Sequence, residues 1–227
     1  MSDLRLIESG IFTIPLVAEL LGVSANMVRI WVDGHSGKQD PIIENELGRA
    51  DGKLAISFKN LMELQFVAFF VRAGVKLPVI RSIMSEARVI LNKPHVFATN
   101  EVFRTDGKRI VTVIGKKNGI DSIYDLKSKN YEMTPVILPS LQRDMIYDPN
   151  GNARIWFPRR VAFPNVIVAP IYSFGRPILR DSKIPTSAVA KSYATERNAG
   201  LVSAIFEISE RRVREAVGFD AALRAAA

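Results

Sequence analysis

The chain has 227 residues, of which 48% are hydrophobic, and its 31 Lys and Arg against 23 Asp and Glu give a formal charge of +8. This length and apolar fraction can fill one or two folded cores, which excludes an intrinsically disordered protein. The chain has no cysteine and only two histidines, His35 and His95. Disulfides, thiol nucleophiles and thiolate zinc sites are therefore excluded, and we expect neither a metal nor a cofactor.

The basic surplus favours an anionic partner such as nucleic acid, since the sequence pI is about 9.8. The net charge is +1 over residues 1–93, +4 over 94–170 and +3 over 171–227. The positive charge is not concentrated in one segment, so a surface that binds nucleic acid has to combine residues from several folded elements.

Three regions with different patterns follow one another. Apolar residues recur at helical spacing from about residue 11 to 91, and helical periodicity returns from Thr186. Between them lie short β-rich runs. The pattern predicts an α+β chain with an N-terminal domain at 1–93, a β-rich bridging region at 94–170 and a helical domain at 171–227. The expected strands of the bridging region are 110–114, 153–157 and 165–168, with turns at Asp106-Gly107 and at 148–151.

Neither a signal peptide nor a membrane span is expected. Asp3, Arg5 and Glu8 precede any apolar run, unlike the start of a secretory signal. The most apolar stretch, residues 61–71, includes Glu63 and is about half of the roughly 20 residues that a membrane helix needs. We therefore expect a cytoplasmic protein without membrane contact.

The most specific local signal is the segment of residues 14–32, IPLVAELLGVSANMVRIWV. An apolar helix is followed by Gly22, which permits a left-handed turn, and then by a second helix that Ser24 can cap. This is the pattern of a DNA-binding helix-turn-helix, whose second helix places its first turns on base edges in the major groove. The predicted contact residues are Ser24, Ala25, Asn26 and Arg29.

Asn26 can pair with adenine, and Arg29 can reach a guanine or a phosphate. The alternative is a tight helical hairpin in which both side chains are merely solvated.

A two-stranded wing is predicted next, with strands at residues 41–43 and 54–56 and a polar tip at 48–53. A long helix then ends at Gly74, and another begins at Pro78.

These segments resemble the MerR-type winged-helix domain. The motif LLGVSANMVRIWV resembles its recognition segment, residues 42–56 its wing, and FVRAGVKLPVIRSIM its second helix pair. The resemblance covers about residues 10–91 and implies phosphate contacts for Arg49 and Lys53. The long dimerising helix of that family is absent after Leu91, so ligand sensing does not transfer.

The carboxy-terminal part contains Gly175-Arg176-Pro177, then Ile184-Pro185-Thr186. Three short helices are predicted after it, at 186–194, about 199–206 and 210–219, the last capped by Ser209. The stretch 168–220 resembles domain-of-unknown-function family 433, a small helix-turn-helix-like module. It departs from that family at Asp181-Ser182 and at Arg197-Asn198.

Arg211, Arg212 and Arg214 lie at the start of the third predicted helix, where a helix amino terminus favours anions and guanidinium groups can hold phosphates. The alternative is a solvated face in which these arginines pair with neighbouring glutamates. The glutamates concerned are Glu207, Glu210 and Glu215.

A MerR-like head joined to a family-433 tail resembles the VapB-type antitoxins of bacterial toxin-antitoxin pairs. The resemblance implies that the protein binds and represses its own promoter, with double-stranded operator DNA as one partner and a PIN-like ribonuclease toxin as the other. We also expect a homodimer, because a single helix of this kind buries too little surface for tight specific binding. Two other functions stay open: a transcription regulator without a toxin, and a protein-interaction adaptor that does not bind DNA.

Catalysis is not expected. The nearest approach to a carboxylate cluster is Asp121, Asp125, Asp144 and Asp148, and the last of these is better explained as part of a turn. No nucleophile elbow, phosphate-binding glycine loop or dinucleotide fingerprint is present.

Overall fold

The computed structural model describes residues 9–34, 40–100 and 143–225. Over these ranges the chain is mixed α and β, with seven α-helices and small antiparallel sheets. The α+β class predicted from the sequence is confirmed.

The described residues form two compact units, and each unit is assembled from segments that are far apart in the sequence. The first unit consists of residues 9–26, 47–58 and 155–225; the second consists of 27–34, 40–46, 59–100 and 143–154.

The first unit begins with strand β1 (Phe12–Thr13), which leads directly into helix α1 (Ile14–Leu21). The helix ends at Gly22, whose φ of 63° and ψ of 45° are left-handed, as predicted. Helix α2 (Ala25–Asp33) follows after a short turn and continues into the second unit.

The predicted wing contains a hairpin of β2 (Arg49–Ala50) and β3 (Lys53–Ile56), with β1 on the other edge of β3, and we call this hairpin the wing. Asp51 and Gly52 connect the two strands with φ values of 49° and 74°. An Asp-Gly pair with both φ values positive is the two-residue hairpin turn whose twist matches that of the strands.

The predicted first wing strand at residues 41–43 is wrong. The amides of Ile42 and Ile43 both donate to the Trp31 carbonyl, at 2.8 and 3.3 Å, and Pro41 has no amide hydrogen. These groups are therefore not available for a ladder with β3. The partner strand is instead the shorter Arg49–Ala50 segment.

The tail contains one antiparallel strand pair and three helices. Strand β6 (Val166–Ile167) pairs with β7 (Ile178–Leu179). The two strands lie on either side of position 170, where the sequence predicted the end of the bridging region. The helices are α5 (Thr186–Glu196), α6 (Ala199–Phe206) and α7 (Glu210–Arg224), which confirms the three predicted helices. The Ser209 hydroxyl caps α7 by accepting the Arg212 amide at 3.4 Å, also as predicted.

Within the first unit, the tail is docked on the amino-terminal elements. Helix α7 packs against α1 and β6. The Ile11 amide donates to the Phe174 carbonyl at 3.1 Å. Gly175 has a φ of 87°, and a β-carbon there would overlap the Phe12 ring. Both ends of the described chain therefore share one core.

The second unit contains helix α3, which begins at Phe58 and ends at Arg72, and helix α4 (Leu77–Leu91). Helix α3 is buried on almost all sides, including the polar side chains of Asn60 and Glu63. It therefore serves as the central core helix of this unit.

Strands β4 (Met145–Tyr147) and β5 (Ala153–Trp156) form a two-stranded sheet. Strand β5 confirms the expected strand at 153–157. The turn expected between these strands is present, with Gly151 at a φ of 82°. The strand expected at 110–114 and the turn at Asp106-Gly107 lie outside the described residues.

No single helix in the described ranges is long and apolar enough to span a membrane. Helices α1 and α2 reach that length and hydropathy only when taken together, across a sharp bend.

Candidate nucleic-acid interface

Helix α2 has one apolar and one polar face. Val28, Trp31 and Val32 are buried, with exposed fractions of 0, 1 and 4%. Asn26 and Arg29 are exposed and lie three residues apart, so they share a face of the helix. The structure thus brings together two of the predicted base-contacting side chains on the surface of a single helix.

The turn before α2 has the geometry of a helix-turn-helix. Helices α1 and α2 are bent by 114° at the break between them, within the roughly 90–120° of this motif. Ser24, in the turn, is exposed, and Ala25 at the start of α2 is half-buried. Helix α2 has nine residues, which gives about 13 Å at 1.5 Å per residue and matches a major groove about 12 Å wide.

The tip of the wing carries the two predicted phosphate-contacting side chains. Arg49 and Lys53 are both exposed and stand at opposite sides of the Asp51-Gly52 turn. Arg49 also donates from Nη1 to the Gly52 carbonyl at 3.2 Å, which closes the turn. The wing therefore presents two cations within one short hairpin.

The three predicted arginines of α7 have different surroundings. Arg212 is held by two carboxylates: its Nε donates to Asp181 at 2.7 Å and its Nη1 to Glu215 at 2.8 Å. Arg214 pairs with Glu210, one turn earlier on the same helix. Arg212 and Arg214 therefore form ion pairs with neighbouring glutamates, which is the alternative considered from the sequence. Arg211 is exposed.

The Asp181 carboxylate accepts hydrogen bonds from three residues of the tail. Its Oδ1 accepts from the Asn165 side chain and from the Ser182 amide, both at 2.9 Å, and its Oδ2 accepts from Arg212. Burial by itself raises the pKa of Asp181, but the hydrogen bonds from Arg212, Asn165 and Ser182 outweigh it, so the pKa lies below the usual value. The hydrogen bonds of Arg212 to Asp181 and Glu215 raise the pKa of Arg212, although its burial lowers it.

A group of cations that was not singled out from the sequence surrounds two aromatic rings of the first unit. The guanidinium carbons of Arg160 and Arg180 lie 4.5 and 5.7 Å from the centre of the Phe157 ring. Lys183 Nζ lies 5.0 Å from the centre of the Tyr172 ring. The interleaving of basic and aromatic residues is visible in the sequence, but pairing of β6 with β7 is needed to bring them together.

The second unit holds a buried polar cluster centred on Glu63, which is fully buried. Its Oε2 accepts from the Asn60 side chain at 3.2 Å and is 3.0 Å from His95 Nδ1. Arg88 Nη2 lies 3.9 Å from its Oε1 and donates to the Ile42 carbonyl at 3.3 Å. The cluster connects α3, α4 and the segment after α2, so it stabilises the packing of these elements.

Asp148 also has a structural role. Its Oδ1 accepts from the Asn152 amide at 2.9 Å, and its Oδ2 accepts from Arg154 at 3.0 Å. The backbone hydrogen bond from Asn152, with the Asn152 and Arg154 side chains, lowers the pKa of Asp148 despite partial desolvation. Among the residues that the structure describes, no group of three or more acidic or histidine side chains could hold a metal ion.

The chain matches a solved structure but no protein-family model. No family model and no curated protein matches the chain. A crystal structure of Rv2018 from Mycobacterium tuberculosis matches with a TM-score of 0.73 and 20% sequence identity, over 91% of this chain and 96% of that one. At this identity the likeness shows a shared fold over nearly the whole length of both chains.

Proposed function

We propose that this protein binds duplex DNA through a winged helix-turn-helix of the MerR type. Helix α2 enters the major groove, where Asn26 and Arg29 read base edges and Ser24 and Ala25 line the entry of the helix. The observation that carries the proposal is the exposed polar face of α2, presented after a 114° bend from α1. Arg49 and Lys53 at the wing tip hold the DNA backbone.

The proposal includes a homodimer. A nine-residue helix and a short wing bury too little surface for tight and specific binding by one copy. Two copies related by a two-fold axis, with half-sites about 34 Å apart, supply the rest.

In the tail, the proposal keeps Arg211 and Arg214 as additional phosphate contacts and changes the role of Arg212. The Arg212 side chain is only 24% exposed and bonds two carboxylates. We assign it to holding α7 against the turn that contains Asp181, because a phosphate would have to displace both partners.

The proposed biological role is that of an antitoxin that represses its own promoter and neutralises a PIN-like ribonuclease, acting in the cytoplasm. The support is the joint resemblance of the two chain ends to MerR-type and family-433 modules. The shared core of these two ends agrees with a single protein in which both modules act together.

The DNA-binding part is tested by a mobility shift and a footprint with the region upstream of the protein's own gene. We expect a footprint with two protected major-groove segments, and we expect Arg29→Ala to reduce discrimination against a scrambled duplex. Lys76→Ala, which removes another exposed cation of the second unit, is the matched control and should bind as the wild type does. Equal affinity of the wild type for both duplexes contradicts base reading.

The antitoxin part is tested by co-expression with the product of the neighbouring gene. Co-purification of a small protein with clustered carboxylates, and loss of its ribonuclease activity in the complex, is the expected result. DNA binding without such a partner favours a regulator that has no toxin. A partner without any DNA shift at low salt favours an adaptor.

A further inference from the structure

The first unit contains a group of cations on the tail that lie outside the wing hairpin and outside α7 in the sequence. Arg160 and Arg180 lie against one ring, Phe157, so their guanidinium carbons are no farther apart than the sum of 4.5 and 5.7 Å. Phe157 and Tyr172 belong to the same small apolar cluster, and Lys183 lies over Tyr172. Three cations are thus gathered around one aromatic pair.

The backbone fixes two of these cations relative to each other. Arg180 and Lys183 are the first and last residues of a tight turn after β7. In this turn the Lys183 amide donates to the Leu179 carbonyl at 2.8 Å, and the Leu179 amide donates to the Ile184 carbonyl at 2.9 Å. Lys183 has a φ of 61°, and its Nζ donates to the Arg180 carbonyl. The turn presents both side chains on the surface, where both are exposed.

The nearest carboxylate does not neutralise these cations. Asp181 lies inside the turn, but both of its oxygens are occupied by Asn165, Ser182 and Arg212. Among the described residues, neither Arg180 nor Lys183 has an ion pair. The charge of Asp181 is offset by Arg212, and the positive charge of the turn is left facing outward.

We infer that Arg180 and Lys183 form a second phosphate-binding surface that holds the backbone of duplex DNA beside the site bound by the helix-turn-helix. The inference rests on the proposed DNA binding and extends it to the tail.

Stacking on the rings is what suits these residues to phosphate. A guanidinium that is held over an aromatic face has already lost part of its rotamer freedom, so less entropy is lost when it binds a phosphate. Arg180 and Lys183 stand at the two ends of the turn, so each can contact its own phosphate of one strand, and these phosphates follow each other at roughly 3.4 Å of helix axis. The surface therefore fits a run of phosphates better than a single small anion.

Duplex DNA is favoured as the occupant by the composition of the unit. Residues 155–225 carry eleven basic and six acidic side chains. The same unit contains the wing tip and the first residues of α2. A cationic tail within the unit that carries these elements extends the contact with the same duplex and does not require a second nucleic acid.

The test compares the double variant Arg180→Gln/Lys183→Gln with the charge-matched control Lys191→Gln/Arg197→Gln, which removes two exposed cations from α5 and its end. Binding of the full chain to its own upstream duplex and to a scrambled duplex is measured against salt concentration. Each phosphate contact contributes about 0.9 to the slope of log K against log salt. We expect the double variant to lose about 1.8 from the slope on both duplexes and to keep the wild-type preference between them.

A slope in the double variant equal to that of the control overturns the inference, as does a loss confined to an RNA hairpin of the same length. The single variants Arg180→Gln and Lys183→Gln, each expected to lose about 0.9, repeat the test if the double variant unfolds. The proposed function fails separately: a wild type that shifts no duplex at low salt removes both proposals, whereas DNA binding that depends on Arg29 and not on Arg180 or Lys183 removes this one alone.

Discussion

Two arginine sites that look alike in the sequence differ in the structure. Arg29 is the fifth residue of α2 and Arg212 the third residue of α7, and both were predicted from the sequence as DNA contacts. Arg29 is exposed on a polar face, and it makes no ion pair within the described ranges. Arg212 is mostly buried between Asp181 and Glu215.

The difference shows that contacts within the protein decide which arginines are available to an external anion. An arginine that already bonds two carboxylates has to lose both before it can bind a phosphate, whereas an exposed arginine exchanges only water. The tail consequently uses one predicted contact residue to fix its own structure, and leaves Arg180 and Lys183 for an external anion.

The largest effect is expected for Arg212→Ala. The substitution removes charge-assisted hydrogen bonds to Asp181 and Glu215 and leaves both carboxylates without their strongest partner, so we expect the free energy of unfolding to fall by about 1–2 kcal/mol. Urea unfolding measures this change. Arg211→Ala is the control and should stay within about 0.5 kcal/mol of the wild type; equal losses for the two variants contradict the structural role of Arg212.

A second prediction concerns the wing. Lys53→Ala removes one exposed cation from the hairpin tip, so binding should weaken for all sequences alike, and the salt slope should fall by about 0.9. Fluorescence anisotropy with the upstream and scrambled duplexes at several salt concentrations measures both quantities. A change in the preference between the duplexes would instead place Lys53 at the bases.

Acid should weaken the tail through Asp181. Its folded pKa lies below the usual 3.8, so its contribution to stability is complete above that value and is lost as the pH falls through the folded pKa. Unfolding by urea between neutral pH and pH about 3 measures the loss. Arg212→Ala removes a main cause of the lowered pKa, so the part of the acid dependence that comes from Asp181 should shrink in that variant; an unchanged dependence would contradict this origin.

The smallest effect separates Arg211 and Arg214, the two other predicted contact residues of α7. Arg214 pairs with Glu210 on an exposed helix surface, and a pair of this kind contributes little, about 0.3–0.5 kcal/mol. We expect Arg214→Ala to reduce the salt slope of DNA binding less than Arg211→Ala does, because Arg214 also pairs with the Glu210 carboxylate and is less available to a phosphate. Titrations of both variants under the same conditions decide the order, and a larger loss for Arg214 reverses the interpretation.

Local signals predicted much of the fold. The left-handed Gly22, the Ser209 cap and the short helix at 199–206 follow from residue types whose backbone preferences act within a few positions. The prediction of a wing strand at 41–43 was wrong because the amides of Ile42 and Ile43 both donate to a more distant acceptor, the Trp31 carbonyl.

The candidate site was predictable only in part for the same reason. Exposure of Asn26 and Arg29 follows from the spacing of Val28 and Trp31 on the opposite face of one helix. The cluster of Arg160, Arg180 and Lys183 depends on pairing between β6 and β7 and on the capture of Asp181 by Arg212, 31 positions away. Contacts between distant positions leave no periodic signal in a single sequence.

The central claim is that the exposed face of α2 reads DNA sequence. The most direct test is the ratio of dissociation constants for the upstream and scrambled duplexes, measured for the wild type and for Arg29→Ala at one salt concentration. The account predicts that the wild type prefers its own upstream duplex and that this ratio falls about 5- to 150-fold in the variant, since a specific base contact contributes about 1–3 kcal/mol. A ratio that is the same in both proteins would contradict it.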